Sequence, residues 1–179
     1  PYLFNYNQIC VLSNGVETRL GSFKADYNYF FEWLKIADEN ESPDRKSIRE
    51  QGISLEYFIR GLCKPANLLD YVENFILYDR KTTKIIAKNH QFFGVNNAYD
   101  SFLHRKEKDG KLGVFWHTQG SGKSYSMVML SSKISRKCSG NYTFLVITDR
   151  ADLDTQIYKN FLRTGFIGEK EQVRPKNSK

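Results

Sequence analysis

Cysteine is scarce in this chain: Cys10, Cys63 and Cys138 are odd in number, far apart and in no CxxC spacing. That argues against a disulfide framework and a cysteine zinc site and favours a reducing, cytoplasmic setting. The three thiols then read as small buried apolar side chains. Histidine is equally sparse, and His90, His104 and His117 are too scattered to suggest a metal. No apolar run approaches the roughly 18 residues needed to cross a bilayer. Internal repeats and low-complexity tracts are absent as well. The first residues, Pro1-Tyr2-Leu3-Phe4-Asn5, carry neither an initiator Met nor a signal-peptide pattern, as expected of a piece cut from something longer.

What is present suits a folded domain. The 179 residues are 40% hydrophobic and 15% aromatic, enough for one good domain or a small one with part of another. Lys and Arg number 27 against 20 Asp and Glu, a formal net charge of +7. Such an excess favours a polyanionic partner such as nucleic acid, although a merely basic soluble surface accounts for it equally well. The basic residues are dispersed, with small concentrations at Lys81–Lys88, His104–Lys111 and after Lys170.

Two regions differ in character, with a boundary near Pro65. In the first, Asn14-Gly15 lies between the apolar-rich runs Ile9–Leu12 and Val16–Leu20, which predicts a β-hairpin with a type I′ turn. Residues Tyr29–Leu34 read as a helix burying its aromatics, Glu39–Ser47 as a polar loop, and Leu55–Leu62 as a short helix closed by Lys64-Pro65. In the second region Leu68–Tyr78 reads as helical. Lys88–Leu103 places Phe92, Val95, Tyr99 and Phe102 on one helical face. Leu112–Trp116 reads as a strand, His117–Gly122 as a loop and Lys123–Lys137 as a helix stopped by Ser139-Gly140-Asn141. The continuous apolar run Thr143–Thr148 is expected to be the next parallel strand, and Asp149–Asp152 to cap a helix burying Leu153, Ile157 and Phe161. Strand, loop, helix, strand and helix in that order predict an α/β fold containing a right-handed βαβ unit.

The loop carries the chemistry. It reads His117-Thr118-Gln119-Gly120-Ser121-Gly122-Lys123-Ser124. Its glycines allow a tight fold that turns backbone N–H groups toward phosphate oxygens, and the helix from Lys123 adds its N-terminal partial charge. The Lys123 ammonium can reach the β- and γ-phosphates of a nucleotide, and the Ser124 hydroxyl can take one position on Mg²⁺. The strict pattern G-x-x-x-x-G-K-[ST] fails at its first position, where His117 stands. Strand, loop and helix otherwise survive around it.

The segment Gly113–Ser124 resembles helicase motif I of the restriction (R) subunit of type I restriction-modification enzymes. Val146–Gln156 resembles motif Ia of the same subunits. Asn14-Gly15 with Arg19-Leu20-Gly21-Ser22 is similar to the end of their nuclease domain. Lys88-Asn89-His90-Gln91 resembles the glutamine motif before the phosphate loop. The resemblance implies residues 1–65 as the end of a nuclease domain with its linker. It implies residues 66–179 as the start of a superfamily 2 RecA-like domain with an incomplete parallel P-loop sheet. The implied activity is ATP hydrolysis that moves double-stranded DNA before cleavage, in complex with methyltransferase and specificity subunits. Gln91 would hold the adenine edge, since an amide donates and accepts at once. Thr118, Gln119, Gly120, Ser121, Gly122, Lys123 and Ser124 would line the phosphates, and Arg150 would contact a DNA phosphate. The plainer roles are a helix-surface glutamine and an ion pair of Arg150 with Asp152 or Asp154.

Two expected parts of that family are not found in the sequence. No acidic DEAD/DEAH segment follows Gln156, and no second RecA-like domain supplies an arginine finger, so this piece alone is expected to be inactive. Asp44-Arg45-Lys46 and Asp109-Gly110-Lys111 mimic nuclease letters but read as loop and turn. Two other functions fit the loop less closely. One is a nucleotide or small-molecule kinase with Asp149 as its acid; the other is a non-catalytic nucleotide- or DNA-binding module.

Overall fold

The computed structural model describes residues 6–168, a mixed α/β arrangement. Strands β1 (Cys10–Ser13), β2 (Thr18–Gly21) and β3 (Phe31–Glu32) form one antiparallel sheet in that order. Helices α1 (Arg45–Glu50), α2 (Ser54–Gly61) and α3 (Pro65–Asn74) follow, then the antiparallel pair β4 (Ile76–Asp79) and β5 (Thr83–Ile86). Helices α4 (Asn89–Leu103), α5 (Lys123–Lys137) and α6 (Ala151–Arg163) complete the described elements. None of the helices is long and apolar enough to cross a membrane.

The first hairpin forms where expected, but its turn is displaced by one residue. Asn14 N–H donates to Glu17 O at 3.2 Å, leaving Gly15 and Val16 at the tip, and Gly15 alone takes a positive φ of 88°. The Asn14 side chain decides this: its Oδ1 accepts from the N–H groups of Val16 and Glu17, so the residue closes the turn from outside. The other hairpin has Arg80 and Lys81 both at positive φ, 50° and 63°, without any glycine or asparagine signal.

Tyr29–Leu34 is not a helix. Asp26 caps a 3₁₀ turn over Tyr27–Tyr29, and the chain then extends so that Phe31 and Glu32 occupy the free edge of β2 opposite Leu20 and Arg19. Leu68–Tyr78 splits for a similar reason. Helix α3 ends at Asn74, and Ile76–Tyr78 pair with β5. Ladder hydrogen bonds to a neighbour outweigh the helical spacing of the apolar residues in both places. Asp44 accepts from Lys46 N–H and starts α1 inside the expected loop. The N-cap of helix α6 is Arg150, inside the expected stretch Asp149–Asp152, but no side chain caps it, and Asp152 lies in the first turn.

One hydrophobic cluster joins these elements, running from Leu20 and Trp33 through Tyr71, Phe75 and Phe92 to Val128, Met129, Ile157 and Phe161. Its centre is aromatic: Trp33 meets Tyr71 at 5.7 Å and Phe92 at 5.5 Å, and Phe75 meets Phe92 at 4.7 Å. Edge-on and tilted pairs of this kind add to the area they bury. Lys133, on the buried face of α5, is held by both oxygens of Asp70 at 2.7 Å and by Asn96 Oδ1 at 2.6 Å. Burial lowers its pKa, and the Asp70 carboxylate opposes that shift.

The expected parallel sheet is not formed among the described residues. Leu112–Trp116 and Thr143–Thr148 enter no strand ladder, and the only sheets are the two antiparallel ones. Val114, Leu145 and Ile147 are 93%, 82% and 83% exposed. The helices that such a sheet would carry, α4, α5 and α6, are nevertheless in place and packed on the core.

Candidate nucleotide-binding site

Helix α5 begins at Lys123, the residue expected from the sequence, and its N-cap is Gly122 at φ 86°. Only glycine adopts that conformation at no steric cost. Here a side chain would also collide, because a Cβ on Gly122 would lie 2.7 Å from Gln91 Nε2. With Gly120 at φ 78° and Ser121 N–H donating to Thr118 O at 3.3 Å, the segment curls back upon itself. Lys123 Nζ reaches across that curl to His117 O at 2.7 Å and Thr118 O at 3.1 Å.

The amides of Gly120, Gly122, Lys123 and Ser124 donate to no carbonyl among the described residues. Together with the first turn of α5 they leave a run of free donors next in sequence to a primary ammonium, which suits a phosphate chain. Ser121 Oγ is buried and without a partner, one more unsatisfied polar group of the loop. The residues therefore fit the phosphates of a nucleotide. For a divalent cation the fit is thinner, with the Ser124 hydroxyl the expected protein donor. No group of three or more His, Cys, Asp or Glu suited to a metal occurs among the described residues.

Helix α4 braces the loop from behind. Gln91 is only 5% exposed; its Oε1 accepts from Lys88 N–H at 3.0 Å and its Nε2 donates to Gly122 O at 3.1 Å. Each end of the amide thus has a backbone partner, one of them at the N-cap of α5. His90 Nε2 lies 3.0 Å from Ser121 O, and since a carbonyl only accepts, that nitrogen carries the proton. Burial lowers the His90 pKa against the raising effect of that bond, with His117, Lys88 and Lys35 adding positive neighbours.

His117, at the position where the strict pattern has glycine, is a structural member of the loop. Its Nε2 is 2.6 Å from Glu39 Oε1, and its ring packs edge-on against Phe115 at 4.4 Å and His90 at 5.0 Å. Nothing in the sequence pairs Glu39 with His117, which stand 78 residues apart. Thr118 and Gln119 are exposed at the mouth of the loop. Arg150 stands apart from this cluster, with Nη2 at 2.6 Å from Asp152 Oδ2 and Nε at 3.2 Å from Oδ1. That pair holds the Asp152 pKa down. Asp149 is exposed at the end of an apolar cleft of about 720 Å³ between Phe144–Thr148 and α6.

This geometry coincides with a family match. Residues 90–179 match the SWI2/SNF2 ATPase family, a stretch that takes in Gln91, the whole phosphate loop and Val146–Gln156. The chain belongs to the SWI2/SNF2 ATPase family. Use of ATP follows from that membership. Among relatives of the SWI2/SNF2 chain, the HindI endonuclease subunit of a type I restriction enzyme from Haemophilus influenzae is 42% identical over 166 residues, covering 89% of this chain and 15% of the relative. A putative type I endonuclease subunit, MjaIXP, from Methanocaldococcus jannaschii is 35% identical over 177 residues, covering 90% of this chain and 17% of the relative. A Staphylococcus aureus type I endonuclease subunit is 25% identical over 163 residues. The chain is thus part of a type I restriction endonuclease subunit with a SWI2/SNF2 ATPase region, and spans about a sixth of the length of its first relatives.

Proposed function

We propose that this ATPase region binds and hydrolyses ATP to translocate double-stranded DNA before the subunit cleaves it, in a complex with methyltransferase and specificity subunits in the cytoplasm. The supporting observation is the loop before α5: the amides of Gly120, Gly122, Lys123 and Ser124 are unpartnered, and the Lys123 ammonium lies back on the same loop at His117 O. Lys123 would exchange the His117 and Thr118 carbonyls for β- and γ-phosphate oxygens. Thr118, Gln119 and Ser121 would line the same phosphates, and Ser124 would hold Mg²⁺ through its hydroxyl. A bound magnesium ion supplies charge neutralisation for the transferring phosphoryl group. Gln91 keeps one amide hydrogen and one carbonyl lone pair beyond its bonds to Lys88 and Gly122, and with these it would read adenine while holding the N-cap of α5.

Arg150 is our candidate for a DNA phosphate contact. Its present partner is an exposed carboxylate, and solvent screens such a pair heavily, so a phosphate can replace Asp152 at little cost. Residues 1–65 are assigned to the end of a nuclease domain with its linker, and residues 66–179 to the start of the RecA-like domain. In the full-length subunit, Leu112–Trp116 and Thr143–Thr148 are proposed to pair as parallel strands. The test is Lys123→Ala in the full-length subunit, assayed for DNA-length-dependent ATP hydrolysis and for strand displacement of a downstream triplex. Loss of both is expected; retained translocation would refute the assignment. Activity that ignores DNA and requires a small phosphate acceptor would favour a kinase instead.

A further inference from the structure

Glu39 lies outside the ATPase family match, yet its side chain enters the loop that the match contains. A closed turn presents it. The carboxylate of Glu41 accepts from the N–H groups of Ile36, Ala37 and Asp38 at 2.8, 2.7 and 3.0 Å, and Lys35 Nζ holds the Glu39 carbonyl. Both Glu39 oxygens are used: Oε1 by His117 Nε2 at 2.6 Å and Oε2 by Asn97 Nδ2 at 3.1 Å. Helix α4 makes room for this arrangement at Gly94, where a Cβ would fall 2.9 Å from Glu39 Oε1 and 2.8 Å from the Phe115 ring. The His117 side chain is one-tenth exposed, and its Nδ1 is buried without a partner, so Glu39 is the only hydrogen-bonding anchor that ring has among the described residues.

We propose that Glu39 is a positioning residue of the phosphate loop, fixing His117 and, through the His117 carbonyl, the resting place of the Lys123 ammonium. The proposal rests on the reading of residues 117–124 as the nucleotide site. Its physical basis is preorganisation: a loop already held in its binding shape loses less freedom when the anion arrives. A charge-assisted hydrogen bond between two largely buried groups is strong enough to hold such a loop. The ATPase loop thereby takes part of its shape from a segment that precedes the ATPase region in the chain.

The test titrates a fluorescent N-methylanthraniloyl ATP into the full-length subunit carrying Glu39→Ala, Glu39→Gln, His117→Ala, the Glu39→Ala/His117→Ala pair, or Lys123→Ala. Glu39→Ala should weaken binding about tenfold, the scale expected on losing one charge-assisted bond. Glu39→Gln should stay within about threefold of wild type, because its amide oxygen still accepts the imidazole N–H while the exposed Asn97 amide can turn its own oxygen toward the new NH2 group. The paired variant should bind no more weakly than His117→Ala alone, since the effect passes through that ring. Wild-type affinity in Glu39→Ala, equal loss in the Ala and Gln variants, or additive losses in the pair would each overturn the proposal. If Lys123→Ala loses binding while Glu39→Ala does not, only the positioning role falls. If Lys123→Ala binds like wild type, the nucleotide site falls and the proposal with it.

Discussion

Helix α5 and the extended segments on either side of it make an instructive pair. The helix buries Val128, Met129 and Ile134 against the core, while Val114 before it and Leu145 and Ile147 after it stand in solvent. All are apolar, so hydrophobicity does not separate them. Backbone hydrogen bonding does. A helix satisfies its own amides from i to i−4 and needs a neighbour only for its side chains. A strand needs another strand for its backbone before its side chains have a surface to cover. Antiparallel hairpins close with a few intervening residues, as β1–β2 and β4–β5 do here, whereas parallel strands depend on distant segments. Local closure decides which apolar runs are ordered into a ladder within this stretch.

The largest effect should come from the loop that joins the two kinds of segment. Lys123→Ala is expected to lower DNA-stimulated ATP hydrolysis by at least about 100-fold, with thermal stability close to wild type, because the side chain is exposed and would act on developing phosphoryl charge. On the packed side of the comparison, Phe92→Ala should destabilise by about 3–5 kcal/mol in denaturant unfolding, as it empties the centre of the aromatic cluster. Gly122→Ala comes next, at about 1–2 kcal/mol, for a left-handed N-cap and a displaced Gln91 amide. Ile147→Thr should cost under about 0.5 kcal/mol in this 179-residue chain. Fast hydrogen exchange at Leu145–Thr148 here, slowed in the full-length subunit, would show that partner strands supply what the segment lacks. Equal exchange in both would break the comparison.

The smallest expected effect is a pH dependence from His90. Its pKa lies below the ordinary 6.5 because burial disfavours the charged ring. In the unfolded chain the ring takes up its proton at higher pH than in the fold, so this contribution to stability is present above about pH 6.5 and lost as the pH falls through the depressed value. Thermal melts between pH 7.5 and 5.5 should decline less steeply in His90→Gln. An unchanged slope would place the acid sensitivity elsewhere.

Much of the site was legible from residue order. The glycines of the loop announced a tight turn and Lys123 a helix start, and both stand where the spacing put them, whereas the left-handed N-cap at Gly122 came from the structure. The glutamine four-residue segment Lys88–Gln91 was visible too, but its use was not: periodicity cannot reveal that Gln91 bonds Lys88 with one end of its amide and Gly122 with the other. The aromatic stretch Tyr29–Leu34 and the end of Leu68–Tyr78 misled because helical spacing and a short buried strand look alike over a few residues. At Asn14-Gly15 the hairpin was right and the turn was not, since an asparagine can either occupy a left-handed position or cap from outside it.

By itself the sequence determined the glycine-bearing loop before Lys123, the three long helices α4, α5 and α6, and the existence of the first hairpin, because each is specified by neighbours within a few residues. Tertiary structure alone decided that Glu39 meets His117, that Trp33 enters the helical core, and that the two long apolar runs remain unpaired. Those outcomes depend on contacts between residues far apart in the chain, where spacing carries no information and only packing and hydrogen-bond geometry choose.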